Sequence, residues 1–196
     1  MPDRPSFVNR LSHILVGAAC RPFWGPTYEG LENIPPTGRV IVACNHRHWM
    51  DTMIVPLCVQ RVRYPRFLGK EELFRHPMAA WLMRELGIIR LDRRKGDVSA
   101  LKQALEVLEA EGCLALFPEG TRSRTGEPGR AKAGIGFLAH KTGAPVIPGR
   151  LRNTEKFPSP ADMRVKFGPA MKYEGDGSRD SCQAFADKVM KTIFEL

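Results

Sequence analysis

The segment Asn45-His46-Arg47-His48-Trp49-Met50-Asp51 sets a histidine and a carboxylate five positions apart. Further along, Phe117-Pro118-Glu119-Gly120-Thr121-Arg122-Ser123-Arg124 gathers a glycine, hydroxyls and two guanidiniums. A carboxylate bonded to one imidazole nitrogen leaves the other nitrogen free to take a proton. Arginine suits phosphate because its planar fork donates two parallel hydrogen bonds. The two blocks supply a base and an anion cradle, with no obvious covalent nucleophile. That combination points to direct acyl transfer onto a phosphorylated alcohol.

The elements around these residues decide whether they can meet. On a regular helix a spacing of five puts side chains about 140° apart, and on a strand it puts them on opposite faces. His46 and Asp51 can touch only if the chain turns between them, as at the junction of a strand ending at Cys44 with the next helix. Ligands of open α/β sheets bind beyond the carboxyl ends of the strands. Taken alone, such a pair is more often a helix cap beside a solvated histidine. His48, three residues before Asp51, is a rival base on a shared helical face. A third basic run, Arg90, Arg93, Arg94 and Lys95, leaves a strand that starts at Ile88. Neither G-x-x-x-x-G-K-[ST] nor G-x-S-x-G occurs, which sets aside nucleotide hydrolysis and the usual serine hydrolase elbow.

Short apolar runs alternate with helical patterns along the chain. Strands are predicted at 40–44, 66–69, 87–91, 113–117, 144–147 and 163–167. Helices are predicted at 6–20, 51–59, 77–86, 97–111, 134–141 and 181–194, with Pro22 stopping the first and Asp97 capping the fourth. This alternation predicts a single α/β domain, a mostly parallel sheet flanked by helices. In the first helix Phe7, Leu11, Ile14, Leu15 and Ala18 share a face. That face either packs on the core or lies in a membrane interface, where Arg4, Arg10 and Arg21 would meet anionic head groups.

A chain of 196 residues is long enough to bury a core without disulfides. The five cysteines are scattered and form no C-x-x-C pair, which argues for a reducing compartment and against a zinc site. With 30 basic and 21 acidic residues the net charge is +9, which favours an anionic partner. No nucleic-acid signature accompanies it. No apolar segment reaches the roughly 20 residues that a spanning helix needs, and no signal-peptide cleavage site follows the first apolar run.

In this order the blocks resemble the glycerophospholipid acyltransferase family, typified by bacterial 1-acyl-glycerol-3-phosphate acyltransferases. The family's H-x-x-x-x-D matches His46 to Asp51, and its F-P-E-G-T-R-S matches Phe117 to Ser123 without substitution. Its intermediate D-R block matches Gly87 to Arg93, its apolar-Pro strand Val146-Ile147-Pro148, and its K-x-G element Lys132-Ala133-Gly134. The resemblance implies His46 as general base and Asp51 as its orienting partner. It implies Arg93, Glu119, Gly120, Thr121 and Arg122 as the acceptor site, with Arg90 and Lys132 as possible additions and no metal. The implied reaction moves a fatty acyl group from acyl-coenzyme A or acyl carrier protein to lysophosphatidic acid, giving phosphatidic acid. No cofactor is expected beyond the donor. Glycerol-3-phosphate, another lysophospholipid or a lyso-aminolipid is the alternative acceptor, and a thioesterase or a non-catalytic lipid-binding protein the alternative class.

Two departures from the family stand out, His48 in place of a frequent serine and Ala80 in place of a small glycine. A basic face near Arg61, Arg63, Arg66 and Lys70 is expected to suit an anionic donor. The expected organisation is a membrane-interface segment over 1–26 and an acyltransferase domain over 27–196. The expected location is cytoplasmic, peripheral on the inner face of the cell membrane.

Overall fold

The computed structural model describes residues 5–91, 96–123, 127, 129–159 and 162–196. Chain order runs α1 (Phe7–Trp24), β1 (Thr27–Glu29), β2 (Val40–Cys44), α2 (Asp51–Val59), β3 (Pro65–Lys70), α3 (Pro77–Glu85) and β4 (Ile88–Leu91). It continues through α4 (Gly96–Glu109), β5 (Cys113–Leu116), α5 (Gly134–Thr142), β6 (Val146–Arg152), β7 (Arg164–Phe167) and α6 (Arg179–Glu195). The strands form one seven-stranded sheet in the order β1-β7-β6-β2-β5-β3-β4. Every described pairing is parallel except β6 with β7. The predicted α/β class and mostly parallel sheet stand.

β2 is the centre of the sheet because it is apolar on both faces. Val40, Val42 and Cys44 pack towards α2, and Ile41 and Ala43 towards α4, α5 and α6. Val40, Ile41 and Val42 are wholly buried, and each contributes about 1.5–3 kcal/mol by that burial. The strand is thus a fixed rod, and the residues that leave its carboxyl end start from a fixed point. Asn45 continues the constraint. Its side-chain amide donates to the Leu151 carbonyl (3.1 Å) and accepts from the Leu151 N–H (2.7 Å), tying the exit of β2 to β6.

The register also explains where the sheet opens. β3 pairs with β5 only as far as Phe67 opposite Ala115, but stays paired with β4 to Lys70 opposite Leu91. Past Phe67 the two strands part. A cleft of about 2230 Å³ enters there, lined by Phe67, Leu68, Gly69, Leu116 and Phe117 among others.

Several sequence expectations are corrected. α1 continues through Pro22 to Trp24 instead of stopping there, since a proline inside a helix removes one backbone donor without forbidding the turn. Asp97 lies inside the first turn of α4, which begins at Gly96, so it is not the residue ahead of the helix. The strand expected at 144–147 runs from Val146 to Arg152, because Arg150 and Arg152 hid its apolar pattern. The short β1 was missed altogether. Ala80, the departure from the family's glycine, is buried and does not line the cleft, whereas Leu82 and Met83 do.

Of the basic face expected near Arg61, Arg63, Arg66 and Lys70, Arg61 stays exposed and Arg63 is drawn into the fold. Arg63 donates to the carbonyls of Pro35, Gly38 and Glu111. Arg61 stacks over Tyr28, and Arg66 over Tyr64. These residues precede or begin β3, at the end of the sheet opposite the cleft.

Candidate active site

The turn between β2 and α2 makes the contact that neither regular helix nor strand geometry allows. Asp51 opens α2 and is wholly buried. Its Oδ2 accepts from the backbone N–H of Arg47 (2.6 Å) and of His48 (2.8 Å), and bonds His46 Nδ1 at 2.9 Å. One oxygen therefore folds the turn and holds the imidazole. An acid at the first position of a helix is also favoured by the helix dipole. With Nδ1 engaged, His46 Nε2 has no partner among the described residues, and His46 lines the cleft. The His46 ring lies flat on Phe117, with centroids 4.1 Å apart and planes 13° apart. His48, the rival base, gives only its backbone N–H to Asp51, and its ring turns towards Trp49 and Phe157.

The second block grips the same histidine by its backbone. Glu119 Oε1 accepts the His46 N–H at 3.0 Å, and the Ser123 N–H donates to the His46 carbonyl at 2.8 Å. The Gly129 amide also donates to Glu119. Burial raises the Glu119 carboxyl above its usual range, while these backbone donors pull it back. Glu119 thus belongs to the site as the holder of His46, with its carboxylate turned to backbone. Gly120 is required twice over. Its φ is +68°, and a Cβ there would lie 2.9 Å from Lys132 Cε. Lys132 therefore crosses directly over the glycine turn.

Thr121 and Arg122 are exposed on the cleft wall, with Lys132 and Arg130 beside them. Arg90 is brought elsewhere. It is exposed, ion-paired with Glu71, and absent from the cleft lining. Arg93 lies outside the described residues. Sequence reasoning missed the roles of Asn45, Arg47 and Phe117, the last as a ring under the imidazole. Phe117 and Arg47 lie inside the two motifs and Asn45 immediately before the first, so position alone was the signal.

Cys44, Cys58 and Cys113 are buried in the core and do not supply a nucleophile. Burial pushes the Cys113 thiol up to about 12, and it pushes Cys44 and Cys58 far above the ordinary thiol range. The cleft itself is two-sided in character. Met53, Leu57, Leu82, Met83, Leu86 and Ile88 make an apolar arm. Arg122, Arg130, Lys132 and Arg179 make a basic one.

An imidazole held by a buried carboxylate, set where an apolar arm meets a basic arm at the carboxyl ends of an α/β sheet, suits the binding of an amphiphilic anion. Comparison with known proteins gives the class its family. The family model described as Acyltransferase matches residues 25–152, and the chain belongs to that family. It is 31% identical over 166 residues to a 1-acyl-sn-glycerol-3-phosphate acyltransferase of Pseudomonas aeruginosa, covering 79% of this chain and 63% of that one. It is 30% identical over 158 residues to the chloroplastic 1-acyl-sn-glycerol-3-phosphate acyltransferase LPAT1 of Arabidopsis thaliana, again covering 79% of this chain but 44% of the relative. The chain thus spans less than half the length of that plant relative. The crystal structure of the 1-acyl-sn-glycerophosphate acyltransferase PlsC from Thermotoga maritima superposes with a TM-score of 0.71 at 28% identity, covering 95% of this chain and 81% of that one.

Proposed function

We propose that this chain transfers a fatty acyl group from an acyl thioester to the free hydroxyl of 1-acyl-glycerol-3-phosphate, forming phosphatidic acid. The observation that carries this reading is the His46 Nδ1 to Asp51 Oδ2 contact of 2.9 Å, beside a basic loop that grips the same histidine. Both halves of the cleft fit the acceptor, an apolar arm for acyl chain and a basic arm for phosphate. The relatives named above support the choice of acceptor.

In the proposed reaction His46 Nε2 takes the proton of the acceptor hydroxyl as its oxygen attacks the thioester carbonyl. Asp51 stabilises the imidazolium through Nδ1–H. The tetrahedral intermediate collapses, the C–S bond breaks, and the proton on Nε2 passes to the departing sulfur. A thiol with a pKa of about 8.5 leaves readily, so no acyl-enzyme is required. Arg122 and Lys132 are the proposed phosphate contacts among the described residues, and Thr121 and the Gly120 turn their support. The proposed donor is the acyl thioester of coenzyme A or of acyl carrier protein.

The test is thiol release from acyl-coenzyme A and acyl carrier protein, with and without lysophosphatidic acid in detergent. Release is expected to need the acceptor and to fall by roughly 10²–10⁴-fold in His46→Ala. Release without acceptor would mark a thioesterase instead. Turnover that survives His46→Ala would remove the base assignment.

A peripheral membrane position, on the inner face of the cell membrane, is part of the same proposal. Among the described residues no helix is long and apolar enough to cross a membrane. Phe7 (78%), Ile14 (67%) and Leu15 (59%) are exposed on α1, whereas Asn9 is buried against Gln60. That orientation favours the interfacial reading over packing on the core, and α1 carries no acidic residue to repel anionic lipid. Deleting residues 1–22 is expected to abolish sedimentation with anionic vesicles. Unchanged sedimentation would sink the interfacial reading.

A further inference from the structure

Arg179, the first residue of α6, lines the cleft and has no role in the reading above. Two contacts fix the start of α6 against the cleft wall. Gly136 on α5 lets the two helices touch, since a Cβ there would lie 2.3 Å from the Cys182 carbonyl oxygen. Gln183 Nε2 donates to the Ala131 carbonyl at 2.9 Å, between Arg130 and Lys132. Arg179 stands four residues before Gln183, so the two share a face of α6, about 6 Å apart along its axis. The Ser178 hydroxyl caps this turn by accepting from the Ser181 N–H at 3.2 Å. Arg179 is therefore carried on a fixed helix end beside the basic loop.

The cations of the basic arm exceed what one acceptor phosphate needs. Arg122 and Lys132 belong to the histidine end. Ser123, next to Arg122, donates its N–H to the His46 carbonyl, and Lys132 crosses the Gly120 turn. The acceptor needs its phosphate there, because only two carbons and an ester oxygen separate its reacting hydroxyl from phosphorus. Arg179 comes to the cleft from a separate helix, joined to the loop at Ala131. It is exposed and makes no ion pair or hydrogen bond among the described residues. A guanidinium so placed suits phosphate, to which it donates two parallel hydrogen bonds.

In a coenzyme A thioester the pantetheine arm sets the pyrophosphate and the ribose phosphate many bonds away from the sulfur. A second cationic site in the same cleft, apart from the one beside His46, matches that separation. The border of the site selects between carriers. Glu174, Asp176 and Asp180 are exposed around the start of α6, and an acidic carrier protein docking there from outside would be repelled. A coenzyme A lying in the cleft instead meets the wall that carries Arg130 and Arg179.

We propose that Arg179 binds the phosphates of a coenzyme A thioester, holding the donor while Arg122 and Lys132 hold the acceptor. The proposal deepens the acyl-transfer reading above and rests on it for the thioester chemistry of the donor.

Initial rates of wild type, Arg179→Ala and Arg179→Lys are compared with acyl-coenzyme A, with S-acyl pantetheine, which lacks every phosphate, and with acyl carrier protein, each against lysophosphatidic acid. Arg179→Ala is expected to raise the KM for acyl-coenzyme A by about 5- to 10-fold, with kcat and the KM for lysophosphatidic acid unchanged. Arg179→Lys is expected to recover part of the loss, since the charge remains and the fork is gone. With S-acyl pantetheine neither substitution is expected to change kcat/KM. A rise in the KM for lysophosphatidic acid would assign Arg179 to the acceptor and overturn the proposal. So would an equal loss with S-acyl pantetheine, or a loss confined to acyl carrier protein.

Calorimetric titration with coenzyme A itself provides the independent readout, since it needs no turnover. The Kd is expected to rise by about 5- to 10-fold in Arg179→Ala. If this Arg179-dependent binding is seen without acyl transfer to lysophosphatidic acid, the acceptor reading fails and the donor site stands. If transfer proceeds while coenzyme A binding ignores Arg179, the donor site fails and the acceptor reading stands. Wild type that binds no coenzyme A would overturn the donor site as well.

Discussion

Arg39 and Arg63 at one end of the sheet and Arg47 and Arg150 at the other stand in different states. At the end where the parallel strands begin, Arg39 and Arg63 are saturated. Arg39 binds Glu111 and the Thr142 carbonyl, and Arg63 binds three carbonyls. At the end where they finish, Arg150 Nε and Nη1, Arg47 Nε, Glu155 Oε2 and Asp51 Oδ1 are buried without partners among the described residues. A saturated network stores its binding capacity in the fold. An unsaturated one keeps electrostatic potential available at the place where substrate must lie, at a cost in stability. The same side-chain types thus act as rivets at one end and as a field at the other.

This contrast can be broken in three places. The largest effect is expected from Asp51→Asn at the unsaturated end. Asn can still accept from the Arg47 and His48 N–H groups, so the thermal transition moves little, but the charge that supports the imidazolium is gone. A fall in kcat of roughly 10²–10⁴-fold is expected in the thiol-release assay. Activity within a few-fold of wild type would show that the carboxylate is only a helix cap.

Arg63→Ala is expected to do the reverse. Stripping three carbonyls of their donor costs about 1–3 kcal/mol in urea unfolding, with kcat/KM unchanged below the transition. A loss of turnover without loss of stability would deny the division of labour between the two ends.

The smallest effect is expected at Glu111, where the Arg39 side-chain hydrogen bond holds the exposed carboxyl below its usual range. A carboxyl lowered by folding stabilises above its unfolded pKa, and that share is lost as pH falls through the folded value. The gap in denaturation midpoint between wild type and Glu111→Gln should therefore shrink on acidification, and shrink again in high salt. A gap that widens in acid would contradict the ion pair.

Legibility in the sequence followed the range of the interactions. β2, α2, β5 and α5 were readable because their apolar patterns are local and nearly unbroken. His46, Asp51 and the Glu119–Arg122 loop were readable as residue types at fixed spacing. The structure left less certain matters to geometry. Periodicity grouped Phe7, Leu11, Ile14 and Leu15 on one face of α1, but could not say whether that face met protein or solvent. Buried Asn9, bonded to Gln60, decided it. Arg90 and Arg63 looked available because a sequence shows charges and not partners. Glu71 pairs with the first, and the carbonyls of Pro35, Gly38 and Glu111 engage the second.

The sequence by itself determined the chemical groups, the α/β alternation and the turn in which His46 could meet Asp51, because each depends on neighbours within a few residues. Tertiary structure alone decided that Phe117 lies under the imidazole, that Glu119 holds the His46 N–H, and that Asn45 ties the exit of β2 to Leu151. Those contacts join residues roughly 70 to 100 positions apart. Only the order in which β2, β5 and β6 pair in the sheet brings them within reach of one another.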